Sequence, residues 1–349
     1  MGVDAGRGLE VTGSPLVVTR PQILAFRRRA GALDQRLPPG RRSLRQAAWA
    51  GLQDSMPRAA VLSIHARVEG AGPSSWEDPS FVQLWGPRYQ VYVVAERDLP
   101  AFSLGRLPDD AKGRGRAEET AARLHAHLGG RRMGYGEAGH GLGINANSLR
   151  YGATTGTVLI RWEGARQPTV WTVPPPEIEP LAARLDLARR YLHVFGPSTS
   201  AAFAVWAGIS RRAAVTAFEA LRPSLTAART PIGDAWILTS DEPMLRADPG
   251  PAAPARLLPS GDAYFLLQGD ERALLVPDAD RRGMLWTPRV WPGAAMVDGE
   301  IRGTWRRAHD TVTIETWGRF SQAARQALEA EAAALPLPGI SGPIVVRWV

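Results

Sequence analysis

Across residues 178–238 apolar positions fall at helical steps, stop at a glycine, resume, and finally alternate as in a strand. Ile178, Leu181, Leu185, Ala188, Leu192 and Phe195 draw one apolar stripe along a predicted helix that Gly196-Pro197 ends. Ser198-Thr199-Ser200 supplies N-cap oxygens for a short helix over 201–207, carrying Phe203 and Trp206, and Gly208 closes it. Ser210 caps a third helix running to Leu221, with Ala214, Phe218 and Leu221 on one side, before Trp236-Ile237-Leu238 turns the pattern to strand. That order is the order of a winged helix-turn-helix.

Looser versions of the same order precede it. Pro21 opens a helix containing Ile23, Leu24, Phe26 and Leu33, and Pro38-Pro39-Gly40 turns the chain. Ser43 caps a helix burying Leu44, Ala47, Ala48 and Leu52, which runs into Gly51-Leu52-Gln53-Asp54-Ser55-Met56-Pro57. Pro57 then suits the first position of a helix over 58–68, and a strand is expected at 89–94. A charged, glycine-containing linker at 109–116 leads to a helix over 118–128, a short helix over 144–151, and a hairpin from 158–162 and 169–173. Beyond a Pro/Ala-rich linker at 249–254, strands are predicted at 264–267, 273–276, 289–291, 295–297, 300–305, 312–314 and 343–348, with a helix over 321–334. Asp298-Gly299 is a two-residue hairpin signal among them. The pattern predicts an α+β chain with winged helices at 18–108, 109–176 and 177–248, followed by a β-rich, barrel-like domain over 255–349.

Composition narrows the function classes. The 349 residues are 44% apolar and 22% charged, the balance of a globular protein, and no apolar run reaches membrane-spanning length. The first thirteen residues lack the basic and apolar regions of a signal peptide, so a cytoplasmic protein without a membrane partner is expected. There is no cysteine, and the six histidines are scattered, so neither a metal nor a cofactor is expected. The glycines of 134–143 lack a Walker lysine and a strand–glycine–helix order, which argues against nucleotide binding. The net charge of +8 and the pI of about 10.6 favour a polyanion. Lys112 is the only lysine, and arginine enrichment also follows from GC-rich coding, so the excess of positive charge is the informative part. Arg211 and Arg212 stand in the first turn of the third helix of 178–238, where the dipole disfavours cations unless a phosphate is close. Arg45, Arg58, Arg150, Arg306 and Arg307 are further candidates; each alone reads as a solvated charge, and together they favour a channel for DNA.

The chain resembles the tandem-winged-helix DNA glycosylases, the AlkZ and YcaQ group. The resemblance is carried by Gly51-Leu52-Gln53 running into Pro57-Arg58-Ala59-Ala60, by Ala66-Arg67, Arg88, and Arg190-Tyr191-Leu192 through Phe195-Gly196-Pro197. It continues in 201–209, in Leu258-Pro259-Ser260-Gly261-Asp262-Ala263-Tyr264 with Arg272, and in Asp298-Gly299 through Gly303-Thr304-Trp305. It implies three winged helices around a concave basic channel, excision of alkylated or crosslinked purines from double-stranded DNA, and a monomer. Arg67 and Arg88 join the DNA-binding candidates on this ground. The resemblance also implies a catalytic Gln-x-Gln or Gln-x-Asp pair, of which Gln53 is the first member. Ser55 stands at the second position, and Tyr92 stands where many relatives carry histidine.

Hydrolysis of an N-glycosidic bond passes through an oxocarbenium-like sugar and needs an oriented water. An N7-alkylated guanine leaves without strong acid assistance, so an amide such as Gln53 suffices to hold that water. Ser55 or Asp54 can share it; equally, both can serve as turn and helix-capping residues before Pro57. With Lys112 assigned to a linker, no amine is expected to form a Schiff base, which implies a monofunctional hydrolase. The alternative is a non-catalytic winged-helix DNA-binding or regulatory protein that has lost the second catalytic residue.

Overall fold

A computed structural model of the chain describes residues 14–54, 58–164, 166–252, 255–337, 339–340 and 342–349. The first elements are β1 (Leu16–Val17), α1 (Arg20–Ala30), α2 (Arg41–Ala47), β2 (Leu52–Gln53), α3 (Ala59–Arg67), β3 (Phe81–Trp85), β4 (Val91–Ala95) and α4 (Leu99–Phe102). Then come α5 (Ala111–Leu128), β5 (Met133–Gly134), α6 (Tyr135–Gly141), a 3₁₀ stretch over Ala146–Thr155, β6 (Val158–Arg161) and β7 (Thr169–Thr172). Three helices follow, α7 (Pro180–Phe195), α8 (Ser200–Ala207) and α9 (Arg211–Leu221), with the hairpin β8 (Leu225–Thr230) and β9 (Gly233–Leu238) and then α10 (Glu242–Arg246). The last part holds β10 (Ala255–Leu258), α11 (Glu271–Leu275), α12 (Ala279–Leu285), β11 (Gly293–Val297), β12 (Glu300–Ala308), β13 (Thr311–Thr316), α13 (Gln322–Ala333) and β14 (Val345–Trp348).

Local chemistry sets many of these boundaries. Thr19 caps α1 through a reciprocal box with Gln22, and Thr199, Ser210 and Ser321 accept from the backbone N–H three residues on at the starts of α8, α9 and α13. Gly208 closes α8 in the left-handed conformation that glycine adopts without a Cβ penalty. Asp298 and Gly299 both have positive φ, as the two-residue turn between β11 and β12 requires.

Other expectations are corrected. Ser43 does not cap α2; Gly40 occupies that position and Ser43 is buried inside the helix. The predicted linker at 109–116 is mostly helix, because Asp110 caps α5 by accepting from Gly113 N at 2.7 Å. The buried line Ala117, Ala121, Leu124 and Leu128 outweighs the cost of two internal glycines. The apolar stripe of α7 is broader than expected: Ile178 and Leu181 are exposed, while Ala183, Leu187, Tyr191 and Val194 are buried. That helix is packed by α1, α4, α9 and β9, so no single stripe describes it. The strands expected at 264–267 and 273–276 are a 3₁₀ turn and α11, and 289–291 is irregular. Such short apolar runs lack a period, and Asp262 turns the chain by accepting from Tyr264 N.

Among the described residues, three sheets organise the fold. β3–β4 and β6–β7 join through the Gln83–Ile160 pair into one sheet ordered β2-β4-β3-β6-β7-β5. β1 pairs in parallel with β8, which places Leu16–Val17 against the β8–β9 hairpin. The predicted barrel is instead an open sheet, β10-β11-β12-β13-β14, with β10 and β14 at its edges. α13 covers it, and the shared core reaches Leu62 of α3. Among the described residues no helix is long and apolar enough to cross a membrane.

Candidate active site

Gln53 and Asp54 sit where the short strand β2 pairs with β4: Gln53 lies opposite Tyr92, and Asp54 N donates to Val91 O at 2.8 Å. The strand is entered through Gly51 at φ +71, where a Cβ would stand 2.8 Å from the rings of Tyr92 and Phe102. Tyr92 is buried beside Phe102, so the position that resembles a histidine site serves the core.

Asp54 is fully buried and held on every side. It accepts from Arg58 Nη1 at 2.6 Å, from Gln83 Nε2 at 2.9 Å and from Ala60 N at 3.3 Å, the last at the start of α3. Burial pushes its carboxyl above the usual range, opposed by the Arg58 charge, and burial likewise draws the Arg58 guanidinium down. Both partners reach across to the β6–β7 connection. Gln83 Oε1 accepts from Trp162 N at 2.7 Å, and Arg58 Nη2 donates to Trp162 O while its guanidinium lies 4.1 Å from the Trp76 ring. The two side chains that hold Asp54 therefore also fix Trp162.

Arg88 completes the arrangement. Arg88 and Tyr89 have φ of 54° and 57°, a conformation that costs non-glycine residues free energy and is held by the tight β3–β4 connection. Gly208 lies against that connection; a Cβ there would be 3.1 Å from Arg88 N. Arg88 Nη2 donates to Gln53 Oε1 at 3.1 Å. A guanidinium has no acceptor, so the amide oxygen must face Arg88 and the amide nitrogen is turned away from it.

Gln53, Asp54 and Arg88 open on a cavity of about 610 Å³, within the range of small-ligand sites. Its other walls come from the β6–β7 connection (Trp162, Pro168) and from the C-terminal part of the chain (Ser260, Leu266, Gln268 and 289–291). Trp291 packs 6.5 Å from Phe265, with the Arg272 guanidinium 5.4 Å from its ring. Burial draws Arg272 down, and the charge of Arg88 adds to this. Trp162, Gln268, Arg289 and Trp291 are the residues that sequence reasoning missed. Periodicity says nothing about such irregular loops, and the available signal was Ser260 within the block that resembles the glycosylases.

The remaining candidates are dispersed. Ser55 and Pro57 lie outside the described residues. Arg67 is in the interior, paired with both oxygens of Asp262 at 2.7 and 2.8 Å. Arg45 lines a separate small cavity with Arg41 and Arg97 and does not reach the Gln53 cavity, although it is only eight residues before Gln53 in the chain. Arg150 lies 5.6 Å from the rings of Tyr89 and Tyr151. Arg211 and Arg212 are exposed at the start of α9, and Arg212 lines a cavity of about 860 Å³ with Arg106, Arg114 and Arg184. Arg306 donates to Val290 O at 3.2 Å, and Arg307 to His309 O at 3.3 Å. Among the described residues no group of three or more His, Asp or Glu could hold a metal ion.

Every residue lining the 610 Å³ cavity falls inside residues 46–336, which match the family model described as DNA glycosylase AlkZ-like. The chain belongs to the AlkZ-like DNA glycosylase family. Its fold is similar to that of the Streptomyces sahachiroi DNA glycosylase AlkZ, with a TM-score of 0.78 over 96% of this chain and 100% of that one. At 18% identity this second likeness concerns the fold. No curated protein matches the chain. AlkZ-like proteins are DNA glycosylases, so the AlkZ-like chain described here has DNA as its class of substrate.

Proposed function

We propose that this AlkZ-like protein is a monofunctional DNA glycosylase that hydrolyses the N-glycosidic bond of alkylated or crosslinked purines in double-stranded DNA, acting as a monomer. In this reading the three helix-plus-hairpin stretches are winged helices forming a basic channel, and the target base leaves the duplex to enter the 610 Å³ cavity between Trp162 and Trp291. Gln53 holds the attacking water. The observation that carries the reading is the Gln53 amide at the cavity wall, its oxygen polarised by Arg88 and retaining a lone pair for a water proton. Asp54 acts by position, since its carboxylate is occupied by Arg58, Gln83 and Ala60 N and holds the frame in which Gln53 and Trp162 sit. Ser55 is the second member of the pair. Lys112, on the exposed first turn of α5, does not line the cavity, which supports hydrolysis over a Schiff base.

The test is incubation of duplex DNA containing N7-methylguanine, followed by alkaline cleavage at abasic sites. Excision is expected, falling about a hundredfold in Gln53→Ala and less in Ser55→Ala, and borohydride should trap no protein–DNA adduct. A trapped adduct would refute the hydrolytic route. The same occupied carboxylate favours one competing reading, a binding protein without activity. Tight binding with no abasic product, unchanged by either substitution, would establish that instead.

A further inference from the structure

The loop between α12 and β11 presents an apolar side chain at the mouth of the cavity. Val290 is 67% exposed there and, unlike the other exposed valines, lines the cavity, together with its neighbours Arg289 and Trp291. The loop is built to be stiff. Pro288 and Pro292 bracket it, and the carbonyl of Val290 accepts from Thr287 Oγ1 at 3.0 Å and from Arg306 Nη2 at 3.2 Å. Trp291, on one side of Val290, is anchored inward on Phe265 and Arg272, whereas Arg289, on the other, is exposed and suited to a phosphate.

We propose that Val290 is the wedge that enters the base stack as the target nucleotide leaves it, with Arg289 holding the adjoining phosphate and Trp291 forming the wall the base meets. The inference rests on the reading of this cavity as the receptacle of an everted base. Its physical basis is the cost of unstacking, which an apolar side chain filling the vacated step offsets, as proteins that kink DNA do with similar side chains. A mobile loop would lose that gain to ordering, and the two carbonyl contacts together with the prolines remove the loss. The occupant is duplex DNA because the apolar tip is flanked by a cation and continues directly into the cavity.

The experiment uses the full chain and a duplex carrying N7-methylguanine with 2-aminopurine as its 3′ neighbour, whose fluorescence rises when the neighbouring stack opens. Wild type is expected to raise the fluorescence on binding, and Val290→Ala and Val290→Asp to reduce that rise and to slow excision from the duplex, by about tenfold in the aspartate variant. Excision from the same strand as a single strand should be unaffected, since no stack needs to be held open. Equal losses on both substrates, or fluorescence and duplex rates unchanged in both variants, would overturn the proposal. A fluorescence rise that depends on Val290 without any excision would uphold the wedge and refute the glycosylase reading, so the two failures are separable. Because Val290 is exposed, both variants should match wild type in thermal stability.

Discussion

At the scale of single residues, the same side chain serves opposite purposes according to what surrounds it. Arg67 and Arg88 both carry the resemblance to the glycosylases, yet Arg67 is locked to Asp262, which also accepts from Ser63 Oγ at 2.7 Å, while Arg88 turns to Gln53. Removing one partner of a buried pair strands the other charge, so Asp262→Ala is expected to cost about 3–5 kcal/mol in urea denaturation. The double variant Arg67→Met/Asp262→Leu should recover much of that loss, and Arg67→Met should leave the salt dependence of DNA binding as it was. Weaker DNA binding with unchanged stability would show that the guanidinium is available to DNA after all. Gln53 was legible through its motif. Its partners were not, because Asp54 meets Gln83 from 29 positions away and Gln83 in turn meets Trp162.

At the scale of elements, caps and turns could be read from the chain because their chemistry spans three or four residues. Thr199 and Ser210 accept the predicted backbone bonds, and Asp298-Gly299 makes its turn. Strands β8 and β10 escaped because β8 mixes polar with small residues, β10 is only four residues long, and each pairs with a strand distant in the chain, β1 with β8 and β11 with β10. Contacts between elements also create titration behaviour that no local reading predicts. His65 of α3 is enclosed against α13, where Arg36 bonds both its backbone carbonyl and Glu331, and burial draws its pKa from 6.5 to about 4 despite Glu331. A base with a depressed folded pKa is protonated first in the unfolded chain. Its contribution is therefore full above about pH 6.5 and is lost as pH falls toward 4, by about 3 kcal/mol at most. Urea denaturation across that window should show a steeper acid loss for wild type than for His65→Gln; parallel curves would contradict the assignment.

At the scale of the whole molecule, net charge is a poor guide to which cations meet DNA. Arg27, Arg28, Arg58, Arg67, Arg106, Arg184, Arg190 and Arg256 are all buried, and several join distant parts of the chain. Arg190 binds Asp98 and Trp49 O, and Arg106 binds Trp85 O and Ala207 O, with burial pulling its pKa to about 10. In the proposed reading the DNA channel relies on exposed groups such as Arg211 and Arg212. Replacing both with alanine is expected to reduce the slope of log binding constant against log salt by about 1–2, measured by fluorescence anisotropy. An unchanged slope would place the DNA elsewhere. By itself the sequence determined the helices whose caps it encodes, the basic excess, and the Gly51-Leu52-Gln53 motif, because each depends on neighbours in the chain or on composition. Only the tertiary structure decided that the C-terminal sheet stays open, that Arg67 is internal, and that the 289–291 loop faces Gln53. Those outcomes depend on contacts between residues scores to hundreds of positions apart, and no local pattern encodes them.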